Sequence, residues 1–537
     1  MHRSAPFKIV ESPRLSKQWP IIAIVSSLLL FYFWQRLAFG IGLQDDAYIT
    51  LSHARSLVLG QGLIASPENP VCATSSPLYA LLLALSAFVF GISNLEITAY
   101  ALGILGESLS LVLIYGMLQQ LGYSYRGALL GVTAYMTSLA FYATGASGME
   151  TSLYIALILA GHYASLAANP SLRLTSTPLG TSRSATGLGM GMASFFSALI
   201  RPEGILLAVA LSVSSWRRME TRLSVLIPLF FGLLGCGAFL GMNQWAWGHL
   251  LPHSILAKHV GVRVGIWDSL HSWYLNLVLK GPMVGGTRVL GVVLTLILLL
   301  AILGWWRHKE NKNPLLELGL WPLLYVGFFL FSGASYRHFN WYFVPPLPLV
   351  ILILGIGSEK CLKQIVASYP SLKSRWESSS VPLICTFLLI LLASLTAGRL
   401  HPADSFRQAL AHREERYAEV SQYLILRGAK ERQETLLTDE VGVFLYRSRL
   451  PLLDFHGLLN PEVLPFVHNN PHYGPRLLAL AAAFHPPWIA WTVWGRPDQD
   501  TLYGEYGELD KNYQLVKRFR EPNSPHVLHL WRRKSLL

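Results

Sequence analysis

Apolar stretches about as long as a bilayer is thick recur along most of this chain, and that repetition limits its possible folds more than any other feature. A helix needs roughly 20 apolar residues to cross the hydrocarbon, where every backbone polar group must be satisfied within the segment. Such runs fall near 19–39, 98–120, 127–143, 151–168, 187–200, 203–215, 223–247, 286–305, 315–333, 342–357 and 381–398. They predict a mainly α, polytopic membrane helix bundle over residues 1–397, with about 11 spans. The stretch 77–91 is apolar as well, but its roughly 15 residues fall short of the 17 to 25 of a span. It reads as an interfacial or re-entrant helix.

Composition supports this class. The 537 residues are 52% hydrophobic and 14% charged, against about 25% charged in an ordinary soluble protein. Of the 30 carboxylates, 14 lie in residues 1–397 and 16 in residues 398–537, which gives the C-terminal segment the chemistry of a separate soluble domain. The net charge of +13 does not point to nucleic acid, because the basic residues form short clusters beside apolar runs, as in loops held on the cytoplasmic side. Cys72, Cys236, Cys361 and Cys385 have no metal-ligand spacing.

Sidedness follows from the same clusters. Arg3, Lys8, Arg14 and Lys17 precede the first run, and no small-residue cleavage signature follows it, so the first span is expected to be uncleaved with its N-terminus in the cytoplasm. Eleven crossings then place Arg126, Arg217, Arg222, Arg307 and Lys363 on the inner side and the C-terminal domain outside. The expected location is the cell (inner) membrane, multi-pass. The break Arg201-Pro202-Glu203-Gly204 between two short runs reads as a helical hairpin tip pointing outward.

The outer face then collects nearly all the unusual charges. Asp45 and Asp46 are adjacent carboxylates, suited to a base beside an orienting group or to a divalent cation; alternatively, Asp46 only caps a helix beginning near Ala47. Arg201 and Glu203 are either a mutual ion pair or a phosphate fork with its acidic neighbour. Lys258 either snorkels or binds an anion. Arg337 and His338 lie opposite the positive-inside bias and point to anion binding, whereas Trp341 and Tyr342 fit an interfacial aromatic belt. Glu150 starts a helix, where the dipole favours a carboxylate, and is a secondary site candidate.

In residues 398–537 an amphipathic helix over 404–426 and strands over 435–438, 441–446, 450–454 and 488–493 predict a small α/β domain. It holds no nucleotide-binding glycine loop, metalloprotease pair or nucleophile elbow. Covering the membrane site or holding an acceptor is its expected task.

Several motifs resemble a known group. Asp45-Asp46-Ala47-Tyr48-Ile49-Thr50, Ala54-Arg55-Ser56-Leu57, Asn69-Pro70, Thr74-Ser75-Ser76-Pro77, Ser147-Gly148-Met149-Glu150, Arg201-Pro202-Glu203-Gly204 and the run from Gly248 through His253 to Lys258 are similar to outer-loop segments of GT-C superfamily glycosyltransferases, nearest the terminal arabinofuranosyltransferase group. Thr438-Asp439-Glu440-Val441-Gly442 and Leu453-Asp454-Phe455-His456-Gly457-Leu458 extend the likeness into the soluble part. The resemblance implies transfer of a sugar from a polyprenyl-phosphate donor to a glycan, lipid or protein acceptor of the cell envelope, with inversion, and with Asp45 or Asp46 as general base and Glu150 in reserve. The outer-face residues themselves give the expected substrate-binding set, His53, Arg55, Arg201, Glu203, His253, Lys258, Arg337 and His338. Ser332-Gly333-Ala334-Ser335 lacks the acidic residue of many relatives, so the donor sugar stays open. A lipid-linked sugar transporter or flippase is the alternative; it would favour repeat symmetry, which the chain does not display.

Overall fold

A computed structural model describes residues 32, 42–123, 125–136, 145, 147–168, 183–217, 222–260, 315–332, 342, 344–368, 403–470, 472–493, 503–520 and 527–537. The chain separates into two compact units, Met1–Gly40 and Ile41–Leu537. Only Tyr32 is described in the first, so the architecture below is that of the second.

The helices of the apolar part are α1 (Asp45–Val58), α2 (Pro77–Phe90), α3 (Leu95–Gln120), α4 (Tyr125–Met136), α5 (Thr151–Ala168), α6 (Arg183–Ile200), α7 (Ile205–Arg217), α8 (Arg222–Trp247), α9 (His253–Val260), α10 (Leu315–Ser332) and α11 (Leu347–Ala367). Among the described residues three segments are long and apolar enough to cross a membrane, Ile92–Gln120, Thr151–Ala168 and Val225–Trp247. Helix α2 starts with Pro77 at its first turn, where the missing N–H costs nothing, and is one of the shorter apolar helices. Its Leu85, Phe88, Val89 and Phe90 are exposed, as befits a helix that meets lipid. The chain breaks between α6 and α7 at Arg201, with a single 3-10 turn over Pro202–Gly204. Apart from Tyr32, the runs near 19–39, 286–305 and 381–398 lie outside the described residues.

The C-terminal part comprises α12 (Ala403–Leu426), β1 (Leu436–Thr438), α13 (Gly442–Arg447), β2 (Leu452–Asp454), α14 (Leu464–Asn469), α15 (Tyr473–Phe484), β3 (Trp488–Val493), α16 (Tyr503–Asn512), β4 (Tyr513–Arg520) and β5 (Val527–Arg533). Five strands form one sheet in the order β2-β1-β3-β5-β4, parallel across β2, β1 and β3 and antiparallel thereafter. Strand β3 reads Trp-Ile-Ala-Trp-Thr-Val and is buried throughout, the pattern of a strand covered on both faces.

The two faces have different partners. Leu436, Leu452, Trp488, Ala490, Leu528 and Leu530 share a core with Ala47, Tyr48, Ile49, Leu51 and Ala54 of α1 and with Tyr79 and Leu83 of α2. Leu437, Leu453, Ile489, Trp491 and Trp531 face the other way, onto Val467 of α14 and Leu477 and Leu480 of α15. Burying both faces of the sheet therefore uses the first loop of the apolar part as one of the covering layers.

One expected strand is a helix. Residues 441–446 form a short apolar run that suits a strand, yet Gly442–Arg447 is helical. Carboxylate oxygens of Asp45 take the N–H groups of Gly442 and Val443, both at 2.9 Å, and the Arg55 guanidinium donates to the carbonyls of Tyr446 at 2.6 Å and Leu445 at 3.2 Å. The groups that a short helix leaves unpaired at its two ends are thus met by one helix, α1.

Candidate active site

The first turn of α1 separates the two aspartates. Successive residues of a helix diverge by about 100°, so Asp45, Tyr48, Ser52 and Arg55 share one face while Asp46, Ile49, Thr50 and His53 share the next. Asp45 looks toward α13. Asp46 looks into a polar cavity of about 30 Å³ that it lines with Thr50, Thr74, Glu150, Arg201, Ser254, Lys258, Tyr342 and Leu458. The reading of Asp46 as an N-cap is corrected here: the helix starts at Asp45, and the capping position is Gln44, whose side chain makes no capping bond.

Each wall of the cavity comes from a different segment. Gly148, with φ of +70°, turns the chain into α5 in a conformation that favours glycine, and an added Cβ there would crowd the Leu43 side chain. The backbone N–H of Gln44 donates to Ser147 at 2.9 Å, so the loops carrying Asp46 and Glu150 are fastened together. Arg201 sits at the break between α6 and α7. Its Nε donates to Glu150 at 2.7 Å, its Nη2 donates to Thr151 Oγ1 at 3.2 Å, and Nη1 lies 3.6 Å from Glu203. Nη1 is buried with no hydrogen-bond acceptor. Lys258, on α9, is 3.6 Å from Asp46. Burial works against its charge, but Tyr342 and Asp46 together hold the ammonium above its ordinary value. The Tyr342 ring packs against both cations, at 5.6 Å from Arg201 and 5.9 Å from Lys258.

The cavity thus brings together Asp46, Glu150, Arg201 and Lys258, with Glu203 behind Arg201. Other predicted residues are engaged elsewhere. Asp45 and Arg55 hold the two ends of α13. His53 is fully buried, with Nδ1 on the Ile49 carbonyl at 2.7 Å and Nε2 accepting from the Ala73 N–H at 3.1 Å. Burial pushes it down to about 4, so it is neutral near pH 7 and fixes the loop that carries Thr74 and Ser75. His253 is 2.8 Å from the Gly457 carbonyl, and burial lowers it also. Arg337 and His338 lie outside the described residues.

Sequence reasoning passed over three lining groups. Tyr342 reads as a belt aromatic but faces the cations. Thr74 and Ser75 stand in a motif named above without a role, and so does Leu458, which arrives from the C-terminal part. Its loop is held by Asp454, whose carboxylate accepts from the N–H groups of His456 at 2.8 Å, Leu458 and Leu459 at 3.0 Å. Among the described residues, no group of three or more His, Cys, Asp or Glu is placed to hold a metal.

Beside the polar cavity lies an apolar one of about 410 Å³, walled by Leu78 and Leu82 of α2, Leu113 of α3, Leu157 of α5 and Phe196 and Ile200 of α6. Ile200, in its wall, and Arg201, in the wall of the polar cavity, are consecutive residues.

No protein-family model matches the chain, and no curated protein matches its sequence. Solved structures do. ArnT from Cupriavidus metallidurans, bound to undecaprenyl phosphate, superposes with a TM-score of 0.55 at 11% identity over 96% of this chain and 98% of that one; its apo state gives 0.56 and 12% over the same shares. The archaeal oligosaccharyltransferase AglB from Archaeoglobus fulgidus, in complex with an inhibitory peptide and a dolichol-phosphate, gives 0.54 at 11% over 89% of this chain and 70% of that one. At such identity the likeness is one of fold. The chain is a mainly helical protein with candidate membrane helices and a small C-terminal sheet domain, similar in fold to GT-C glycosyltransferases.

Proposed function

We propose that this chain is a multi-pass glycosyltransferase of the inner membrane, moving a sugar from a polyprenyl-phosphate carrier to a cell-envelope acceptor on the outer face. One observation carries the reading: two carboxylates and two cations share a cavity whose Arg201 directly follows Ile200 of an apolar groove. That pairing suits an amphiphile with an anionic head. The prenyl chain lies along Leu78, Leu113 and Phe196, and the phosphate meets Lys258 and Nη1 of Arg201, which has no hydrogen-bond acceptor of its own and belongs to a fork that matches phosphate oxygens.

Asp46 is the base in this scheme. Arrival of the phosphate draws Lys258 away from Asp46 and frees the carboxylate. Asp46 then takes the proton of the acceptor hydroxyl as its oxygen bonds to the anomeric carbon. The bond from that carbon to the phosphate oxygen breaks, its electron pair leaves on the phosphate, and the anomeric centre inverts. Glu150 holds Arg201 in place for the leaving group. Because a cavity of about 30 Å³ has room for about one water, the sugar is admitted by movement of the lining.

The test uses the full-length protein in nanodiscs. Undecaprenyl phosphate binding is measured first, and Lys258→Gln is expected to weaken it. A panel of undecaprenyl-phosphate hexoses and pentoses, labelled in the sugar, is then offered to the wild type and to Asp46→Asn, whose turnover should fall by about 10²- to 10⁴-fold. Failure to bind undecaprenyl phosphate, or full turnover by Asp46→Asn, would overturn the proposal.

A further inference from the structure

The two aspartates at the start of α1 divide two tasks, and the one facing away from the cavity acts on the other. We infer that Asp45 is a positioning residue: by binding α13 of the C-terminal domain it fixes the rotation of α1 that sets Asp46 against Lys258. The assignment of Asp46 rests on the glycosyltransferase reading above, but the mechanical coupling stands on geometry alone.

Three observations carry it. Asp45 accepts two backbone N–H bonds, from Gly442 and Val443, at 2.9 Å each across 397 and 398 residues of sequence. The approach is so close that a Cβ on Gly442 would overlap the Asp45 carbonyl oxygen, so glycine is required there by contact and not by backbone angle. Ten residues further along α1, Arg55 holds the other end of α13 through the carbonyls of Tyr446 and Leu445, and its guanidinium lies 4.8 Å from the Tyr446 ring. A helix held at two points on one face cannot roll about its axis. Asp46, about 100° around from Asp45, is therefore held at the angle that places its Oδ2 3.6 Å from Lys258.

The coupling also gives the two adjacent carboxylates different partners. Asp45 has its negative charge answered by amides at the positive end of α13, whereas Asp46 has its charge answered by Lys258. The site is completed by the docked domain twice over, through Leu458 in the cavity wall and through the hold on α1.

Two readouts on the full-length protein test this, namely hydrogen exchange at the Gly442 and Val443 amides and acetylation of Lys258 by a water-soluble reagent. In Asp45→Ala the amides should exchange roughly tenfold faster or more, since a charge-assisted bond has been lost to each. Lys258 should be acetylated several-fold faster in the same variant because Asp46 has turned away. Gly442→Ala, made on the opposite side of the contact, should reproduce both effects. Asp46→Asn should speed acetylation only, leaving the amides protected. Asp45→Asn keeps an acceptor oxygen for one amide and should therefore show both effects only in part, between Asp45→Ala and the wild type. If Asp45→Ala also exposes the amides of Leu436–Thr438, the domain has unfolded and Asp45→Asn decides on the same readouts. Protected amides in Asp45→Ala, or freed amides with Lys258 acetylated at the wild-type rate, would overturn the inference. Neither readout needs a sugar, so a protein that binds no undecaprenyl phosphate would refute the glycosyltransferase reading and leave this coupling standing.

Discussion

Arg201 and Glu150 form an ion pair at 2.6 Å in which each side chain is only 4% exposed. A buried pair contributes little net stability compared with apolar residues of the same shape, but it is costly to break, because the survivor is left charged and dry. Here the survivor would also line the cavity, so the pair joins folding to the proposed phosphate contact.

Glu150→Ala is expected to destabilise the protein by about 3 to 5 kcal/mol, with Glu203 at 3.6 Å absorbing part of the loss. Replacing both partners, as Glu150→Gln with Arg201→Gln, should cost less than the two single changes added together. Thermal unfolding in detergent across the double-mutant cycle measures the difference.

Asn69 is expected to act as a clasp between the first loop and the sheet edge. Its side-chain amide donates to the Leu452 carbonyl at 2.8 Å and accepts from the Leu452 N–H at 2.9 Å, closing the free edge of β2 as a further strand would. Asn69→Ala leaves two buried backbone groups unpaired and should cost about 2 kcal/mol. Asn69→Asp, which can accept but not donate, should be no better. Proteolysis of the C-terminal domain under native conditions reports the loss.

Glu434 should make the sheet domain sensitive to acid. Burial works to raise it, but hydrogen bonds from Arg532 at 2.6 and 2.9 Å, from Arg432 and from Trp488 Nε1 hold it down to about 2. The unfolded chain therefore binds the proton first, and the stability contributed by Glu434 is present above about pH 4.5 and lost as pH falls toward 2. Glu434→Gln should be less stable than the wild type at pH 7, with the gap closing across that window in denaturant titrations.

Glu414 should have the opposite sign. Burial, with the charges of Glu96 and Asp45 nearby, pushes it up to about 8, while its bond to Tyr48 and the charge of Arg447 oppose this. The native state then holds a proton that the unfolded chain releases, so stability falls as pH rises from about 4.5 to 8. Glu414→Gln should flatten this dependence and gain a few degrees in Tm over the wild type at pH 8, with little difference at pH 4.5.

Much of the helical part is legible from sequence because its signal is local. The runs at 151–168 and 223–247 appear as α5 and α8 within about a residue, since length and apolarity are properties of a segment by itself. The break at Arg201–Gly204 is equally local, a proline and a glycine between two short helices. Strands β1, β2 and β3 are foreseen for the same reason, whereas β4, with a polar, half-exposed pattern, gives no strong alternation to read.

What sequence alone determined is a membrane helix bundle with a soluble α/β domain, and a pair of aspartates among a few charges set at the ends of apolar helices. Only the tertiary structure decided that residues 442–447 form a helix, because the groups that complete its ends, Asp45 and Arg55, are almost 400 positions away. The same contact gave the adjacent aspartates different surroundings. Neighbours on a helix differ by a rotation of about 100°, and which of them meets the cavity depends on what the helix packs against, a property that no local pattern carries.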